Sequence, residues 1–128
     1  MDDPQFLPAD FQEQDDVIAD VPKDAYLIEE DTKVFLLNQP VVNIGRRLEN
    51  NLVIDDPRIS RYHAQLRVIK DRFVIFDLNS TGGTFVNGER VEQTIVYSGD
   101  VISLAGVILI FKQSEPPPRP DLKETAPF

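Results

Sequence analysis

From about residue 24 to residue 113, short segments rich in Val, Ile, Leu and Phe recur about every 8–12 residues, with polar or glycine-bearing stretches between them. Segments of that length at that spacing predict β-strands. Ten are expected: Tyr26–Ile28, Lys33–Leu37, Val41–Ile44, Leu52–Ile54, Ala64–Ile69, Phe73–Asp77, Thr84–Val86, Glu89–Val91, Val101–Ser103 and Val107–Lys112. No window of about 11 residues carries a 3.6-residue period, so no helix is expected.

The connections support this reading. Asn87-Gly88 lies between Phe85-Val86 and Arg90-Val91, and both of its positions tolerate the positive φ of a two-residue hairpin. These two residues are expected to make the hairpin and nothing more. Lys70-Asp71-Arg72 joins two strands tightly, and Ser98-Gly99-Asp100 and Ala105-Gly106 punctuate the last pair. Many short strands joined by regular turns point to a β-sandwich.

Two connections are longer than turns require, Gly45–Asn51 and Asp55–His63. They carry Arg46, Arg47, Arg58 and Arg61. A third polar loop, Asn79-Ser80-Thr81-Gly82-Gly83, sets hydroxyls beside two glycines. Loops on a rigid sandwich are where binding residues concentrate.

The flanks read differently. Residues 1–23 scatter Phe6, Leu7, Phe11, Val17 and Ile18 among acids and prolines and are expected to form an acidic flexible tail, with a short docking segment as the alternative. Pro116-Pro117-Pro118-Arg119-Pro120 cannot enter a sheet, so 114–128 is expected to be a proline-rich flexible tail. The folded domain is expected at 24–113, and the proline-rich flanks suggest a segment of something larger.

Charge narrows the function. The net charge of −9 is unevenly spread. Met1–Pro22 holds seven acids and no base, whereas Lys23–Gln113 holds eleven bases against twelve acids. A near-neutral domain offers no broad basic face for nucleic acid, so an anionic ligand must meet a local cluster. No apolar run approaches the roughly 20 residues of a membrane-spanning helix, and no signal peptide opens the chain, so membrane insertion is not expected. The chain has no cysteine, which rules out disulfides and thiolate metal sites and fits a cytoplasmic setting.

The loops suit one chemistry. A phosphate dianion presents three strong acceptor oxygens, which guanidinium forks, hydroxyls and backbone amides satisfy together. Arg46, Ser60, Arg61 and Thr81 offer that mixture from three loops, while Gly45, Gly82 and Gly83 permit close backbone approach. Taken singly, each is better explained as a solvated charge or a turn former; the combination and its spacing carry the reading. Catalysis is not expected. Ser60 and His63 lie three apart, but no nucleophile-elbow glycines surround Ser60 and no second histidine exists. No metal-ligand cluster and no Gly-x-x-x-x-Gly-Lys-Ser/Thr loop appears either, so no metal and no cofactor is expected.

These pieces together resemble the forkhead-associated (FHA) domain: Ile44-Gly45-Arg46, then Asn50-Asn51-Leu52, Ser60-Arg61-Tyr62-His63, and the run Asp77-Leu78-Asn79-Ser80-Thr81-Gly82-Gly83-Thr84-Phe85-Val86-Asn87-Gly88. Ser98-Gly99-Asp100-Val101-Ile102 resembles the turn before that family's last hairpin. The resemblance implies an all-β sandwich of about eleven strands in two sheets that recognises phosphothreonine-containing segments of partner proteins in signalling. Carried over by position, Arg46, Ser60 and Thr81 match residues that hold the phosphate, Thr81 also lining the pocket for the threonine methyl. Arg61 matches a side chain that reaches the phosphate or the peptide backbone. His63, Asn50 and Gly45 match residues that brace the loops. Arg47, Arg58 and Asn79 are candidates for reading the ligand beyond its phosphate. One position departs from the pattern. Most members carry Asn where this chain has Gly82, and that side chain bonds the peptide backbone, a contact worth about 0.5–1.5 kcal/mol. The departure leaves a second reading open, a scaffold of the same fold that binds an unphosphorylated partner or itself.

Overall fold

The computed structural model of the chain describes residues 21, 22, 24–30 and 32–114. The expected tails fall outside the described residues except at Val21, Pro22 and Ser114, and Val21 packs against the core. Among the described residues there is no helix, hence none long and apolar enough to cross a membrane.

Among the described residues eleven strands follow one another: β1 (Ala25–Glu29), β2 (Lys33–Leu36), β3 (Val41–Gly45), β4 (Leu52–Val53), β5 (Ala64–Ile69), β6 (Arg72–Asp77), β7 (Thr84–Val86), β8 (Glu89–Arg90), β9 (Gln93–Ile95), β10 (Val101–Leu104) and β11 (Val107–Gln113). They form a five-stranded sheet in the order β9-β6-β5-β3-β4 and a six-stranded sheet in the order β2-β1-β11-β10-β7-β8. All pairings are antiparallel except β3 with β4, where Ile44 faces Leu52. The all-β sandwich expected from the sequence is the fold observed.

Alternation builds the core. Ala64, Leu66 and Val68 of β5 are buried, as are Val107, Leu109 and Phe111 of β11, while the residues between them point away. The inner faces of the two sheets meet where the Phe73 and Phe111 rings pack edge to face, 5.5 Å apart. Burying each such ring contributes about 1.5–3 kcal/mol.

One strand was not expected. β9, Gln93–Ile95, pairs with β6 at the sheet edge, Thr94 facing Ile75. Its Gln-Thr-Ile sequence shows no apolar alternation because Gln93 and Ile95 face outward and are exposed. Backbone pairing makes it a strand, so the hydrophobic pattern is silent.

The two ends of the sandwich are built differently. At one end lie tight turns, Lys70-Asp71 and Asn87-Gly88, all four residues at positive φ. Asn87 does more there than close its hairpin. Its Oδ1 accepts from the Val101 amide at 2.9 Å and its Nδ2 donates to the buried Asp100 carboxylate at 3.0 Å, which corrects the expectation. The long loops 46–51, 54–63 and 78–83 and the Ala105-Gly106 turn gather at the other end.

Candidate functional site: an anion pocket at the loop end

Each loop is held by its neighbours. After β3 the chain crosses the Ser60–His63 loop so closely that a Cβ on Gly45 would lie 2.2 Å from the Arg61 carbonyl oxygen, so only glycine fits. The Arg46 amide then donates to the Ser60 carbonyl at 3.0 Å, and the Arg47 amide donates to the Arg61 carbonyl at 3.2 Å. Asn50 is buried and donates through Nδ2 to the carbonyls of both Arg47 and Arg61, each at 2.9 Å, while its Oδ1 has no partner among the described residues.

His63 is fully buried in the loop cluster. Its Nδ1 accepts from the Ser60 amide at 3.1 Å, and its Nε2 lies 2.9 Å from the Gly83 carbonyl oxygen. An amide can only donate and a carbonyl can only accept, so the proton must sit on Nε2. Both nitrogens are thereby occupied, and the ring ties the Ser60 loop to the Gly83 loop.

The third loop has its own frame. Ser80 Oγ donates to Asp77 Oδ1 at 2.6 Å and accepts from the Gly83 amide at 2.9 Å. Thr84 Oγ1 donates to the same Asp77 oxygen at 2.7 Å, and the Ser80 amide donates to Oδ2 at 3.1 Å. Burial works to raise the Asp77 carboxyl, but these hydrogen bonds outweigh it and hold it below the ordinary carboxylate range. This Asp-x-x-Ser frame was not singled out in the sequence, although an Asp bonding a backbone amide a few residues on is a turn signal.

The frames leave selected donors facing outward. Arg46 is anchored by Nε, which donates to the Ile59 carbonyl at 2.9 Å. No carboxylate pairs with it and neither Nη group has a hydrogen-bond partner among the described residues, and the residue is exposed at the pocket. Ser60 Oγ accepts from the Thr81 amide at 3.1 Å, so its own hydroxyl hydrogen remains available. That same bond sets Thr81 beside Ser60, and Thr81 is an exposed residue. Arg46, Ser60 and Thr81 line one open pocket of about 540 Å³, with Pro57, Arg58, Ile59, Gly82, Phe85 and Ala105 completing it.

The other candidates are placed less centrally. The Arg61 side chain is exposed and absent from the pocket lining; its carbonyl, held by Asn50 and Arg47, is what the loops use. Arg47 lies over the Tyr62 ring at 6.0 Å, and Asn79 sits exposed at a φ of 61° on the loop edge. Neither lines the pocket. Arg58 does, and it is already paired. Asp56 takes its Nε at 3.0 Å and Nη2 at 2.8 Å, and these side-chain bonds, with a further one from the Arg58 amide, lower the Asp56 carboxyl to about 2. Gly82 has a structural reason as well. A Cβ there would lie 2.4 Å from the Ala105 Cβ, so the turn between β10 and β11 fills the place a side chain would need. Among the described residues no cluster of His, Cys, Asp and Glu is placed to share a metal ion.

The sequence model of the FHA domain matches residues 42–105, the stretch that contains every loop of this pocket. The chain belongs to the FHA domain family. It is similar to the glycogen accumulation regulator GarA of Mycolicibacterium smegmatis, with 35% identity over 77 residues covering 60% of this chain and 49% of GarA. It is also similar to an oxoglutarate dehydrogenase inhibitor of Corynebacterium efficiens, 36% identical over 77 residues covering 60% of this chain and 54% of the inhibitor. The chain thus spans about half the length of these relatives. Among solved structures it is similar to an FHA domain studied for phosphothreonine-dependent interactions, with 29% identity and a TM-score of 0.67, covering 70% of this chain and 96% of that one. It is likewise similar to Mycobacterium tuberculosis EmbR in complex with a low-affinity phosphopeptide, with 26% identity and a TM-score of 0.68, covering 80% of this chain and 29% of that one.

Proposed function

We propose that this FHA domain, taken as residues 24–113, is a recognition module that binds phosphothreonine-containing segments of partner proteins in signalling. The observation that carries the reading is the set of outward donors around one pocket: the Arg46 guanidinium, the Ser60 hydroxyl and Thr81, all fixed by bonds to other atoms of the same loops. A dianionic ester needs such a set, and fixing it beforehand removes the ordering cost that loose side chains would add on binding. The phosphothreonine-dependent interactions of the similar FHA domain support the choice of ligand.

In this reading Arg46, Ser60 and Thr81 take the phosphate. Arg61 serves the peptide from the rim, and Arg58 favours an acidic ligand residue once it exchanges Asp56 for it. Gly45, Asn50 and His63 act by holding the loops. We read it as a binding module and not an enzyme, a reading supported by His63, the one histidine, being fully buried with both ring nitrogens engaged in holding the loops. We place it in the cytoplasm, where Ser/Thr kinases act on its partners.

Titration with matched phosphothreonine and unmodified peptides tests the proposal. The phosphorylated peptide should bind tightly and its twin weakly, and Arg46→Ala should weaken the phosphorylated one by about 1.5–3 kcal/mol, as expected for a charged hydrogen bond. Equal affinity for the two peptides would overturn the reading. Partner binding that survives Arg46→Ala intact would favour a scaffold for an unphosphorylated partner.

A further inference from the structure

The two outer sheet faces differ in a way the core does not require. On the five-stranded sheet the outward row Val41, Arg67, Val74 and Ile95 is interrupted by Arg67, which covers the Phe76 ring at 5.5 Å, and the row beside it is polar at Asn43 and Gln65, where Gln65 Nε2 donates to Asn43 Oδ1 at 2.8 Å; Val41 and Ile95 are exposed there but not adjacent. On the six-stranded sheet the register lines up an apolar row across four strands. Val34 of β2 faces Ile28 of β1, Ile28 faces Ile110 of β11, and Ile110 faces Val101 of β10. These are outward positions, since their strand neighbours Leu27, Leu109 and Ile102 are fully buried. Val34 is 60% exposed and Val101 is 37% exposed.

This row is continuous with the pocket. Two residues along each strand toward the loops, Ile108 faces Ser103 and Ser103 faces Phe85. Ile108 is 41% exposed. Phe85 lines the pocket, and so does Ala105, in the turn that follows Ser103 and Leu104. The step from the Phe85 row to the Val101 row is about 7 Å, two residues of strand. A chain held by its phosphate at Arg46 and leaving past Phe85 therefore reaches apolar surface within a few residues, at high effective concentration.

We infer that this outer face is a second docking surface, occupied by an apolar stretch of the same phosphorylated polypeptide that places its phosphothreonine in the pocket. The inference rests on the phosphothreonine reading and deepens it: the ligand is a phosphothreonine segment flanked, within about ten residues, by several bulky aliphatic side chains. Ten extended residues reach roughly 33 Å, enough to cross the row.

Calorimetric titration of the full chain with three peptides tests it. All share one phosphothreonine core; one is short, one is extended on both sides by ten residues with Leu or Ile at alternate positions, and one by ten residues of Gly and Ser. The aliphatic extension should tighten binding about tenfold over the Gly/Ser extension. That gain should fall below twofold in Ile110→Ser/Val34→Ser and in the edge-strand variant Val34→Lys, while the short peptide binds all of them equally and so certifies fold and pocket. Equal affinity for the two extended peptides would overturn the inference and leave the phosphothreonine reading standing. A short phosphopeptide no better than its unmodified twin would overturn both. A sedimentation mass twice that of one chain, halved by Val34→Lys, would give the face to a second copy and overturn the inference. Ile28 and Ile110 methyl signals that move when residues 1–20 are removed, but not when peptide is added, would give it to the chain's own N-terminal segment and likewise overturn the inference.

Discussion

The two ends of this sandwich solve the same packing problem and leave different remainders. At the tight-turn end, Asn87 bridges to the Val101 amide and the Asp100 carboxylate, and Asp100 also accepts from the Tyr97 amide at 2.8 Å. The polar groups of these turns are aimed at one another. At the loop end another set of bonds, through Asn50, His63 and Asp77, secures the loop backbone and the Ser80 and Thr84 hydroxyls. Arg46 is gripped by Nε alone, and Ser60 uses its lone pair and keeps its proton. A buried polar network is thus no sign of function by itself; what separates the ends is which donors remain outside the network.

Substitutions can break that contrast, and the largest effect belongs to His63. His63→Ala leaves the part-buried Ser60 amide without its partner, at a cost of about 1–3 kcal/mol, takes from the Gly83 carbonyl one of its two donors, the Ala105 amide at 3.0 Å remaining, and empties a fully buried site. Denaturant unfolding should show a loss of about 3–5 kcal/mol, and phosphopeptide binding should weaken with it because Ser60 and Thr81 lose their register. At the opposite end Asn87→Ala removes the two side-chain bonds to Asp100 and Val101 and puts Ala at a φ of 51°. It should lower stability by about 1–2 kcal/mol and leave the phosphopeptide Kd unchanged. A Kd shifted by Asn87→Ala would erase the distinction between the two ends.

The Gly82–Ala105 contact sharpens the picture at a smaller scale. Gly82→Asn should destabilise on its own by about 1–2 kcal/mol through overpacking against Ala105. Adding Ala105→Gly should recover most of that loss and tighten peptide binding by about 0.5–1.5 kcal/mol, the size of one hydrogen bond. A fully additive double-mutant cycle would show that the two positions do not share the space.

The smallest effect is the acid response. Asp77 is held below the ordinary carboxylate range in the fold, so between the folded and unfolded values the unfolded chain binds more protons. Its contribution is full above the unfolded value near 3.9 and is lost as pH falls through the folded value. Stability measured from pH 5 downward should therefore decline less steeply in Asp77→Asn, from a lower starting point, than in the native chain. Identical slopes would remove Asp77 from the loop frame.

Much of this was legible in the chain. Alternating burial marked strands such as β5 and β11 because one face of each lies on the core. The pocket loops stood out because arginines and hydroxyls accumulate in connections longer than turns need. Apart from the Asp77-x-x-Ser80 frame, whose partners are local, the features that escaped share a physical cause: their partners are remote in sequence. β9 is a strand through pairing with β6, and its own side chains are mostly exposed. Asn87 meets Asp100 and Val101 across the sheet, beyond anything an Asn-Gly turn implies. Gly82 reads in the sequence as a lost contact, whereas in the fold Ala105, from the β10–β11 turn, fills the space. Arg61 and Arg58 lie on one loop, and only the folded backbone decides that Arg58 enters the pocket while Arg61 offers its carbonyl.

The central claim is that Arg46, Ser60 and Thr81 close on a single phosphate. Nitrogen-detected NMR of the arginine side chains, together with the backbone amides of Ser60 and Thr81, tests it during titration with a phosphothreonine peptide. The Arg46 Nη signals and both amides should shift together, saturate at one equivalent with one Kd, and leave Arg67 and Arg72 unmoved. Peptide bound at one equivalent with the Arg46 Nη signals unchanged would contradict it.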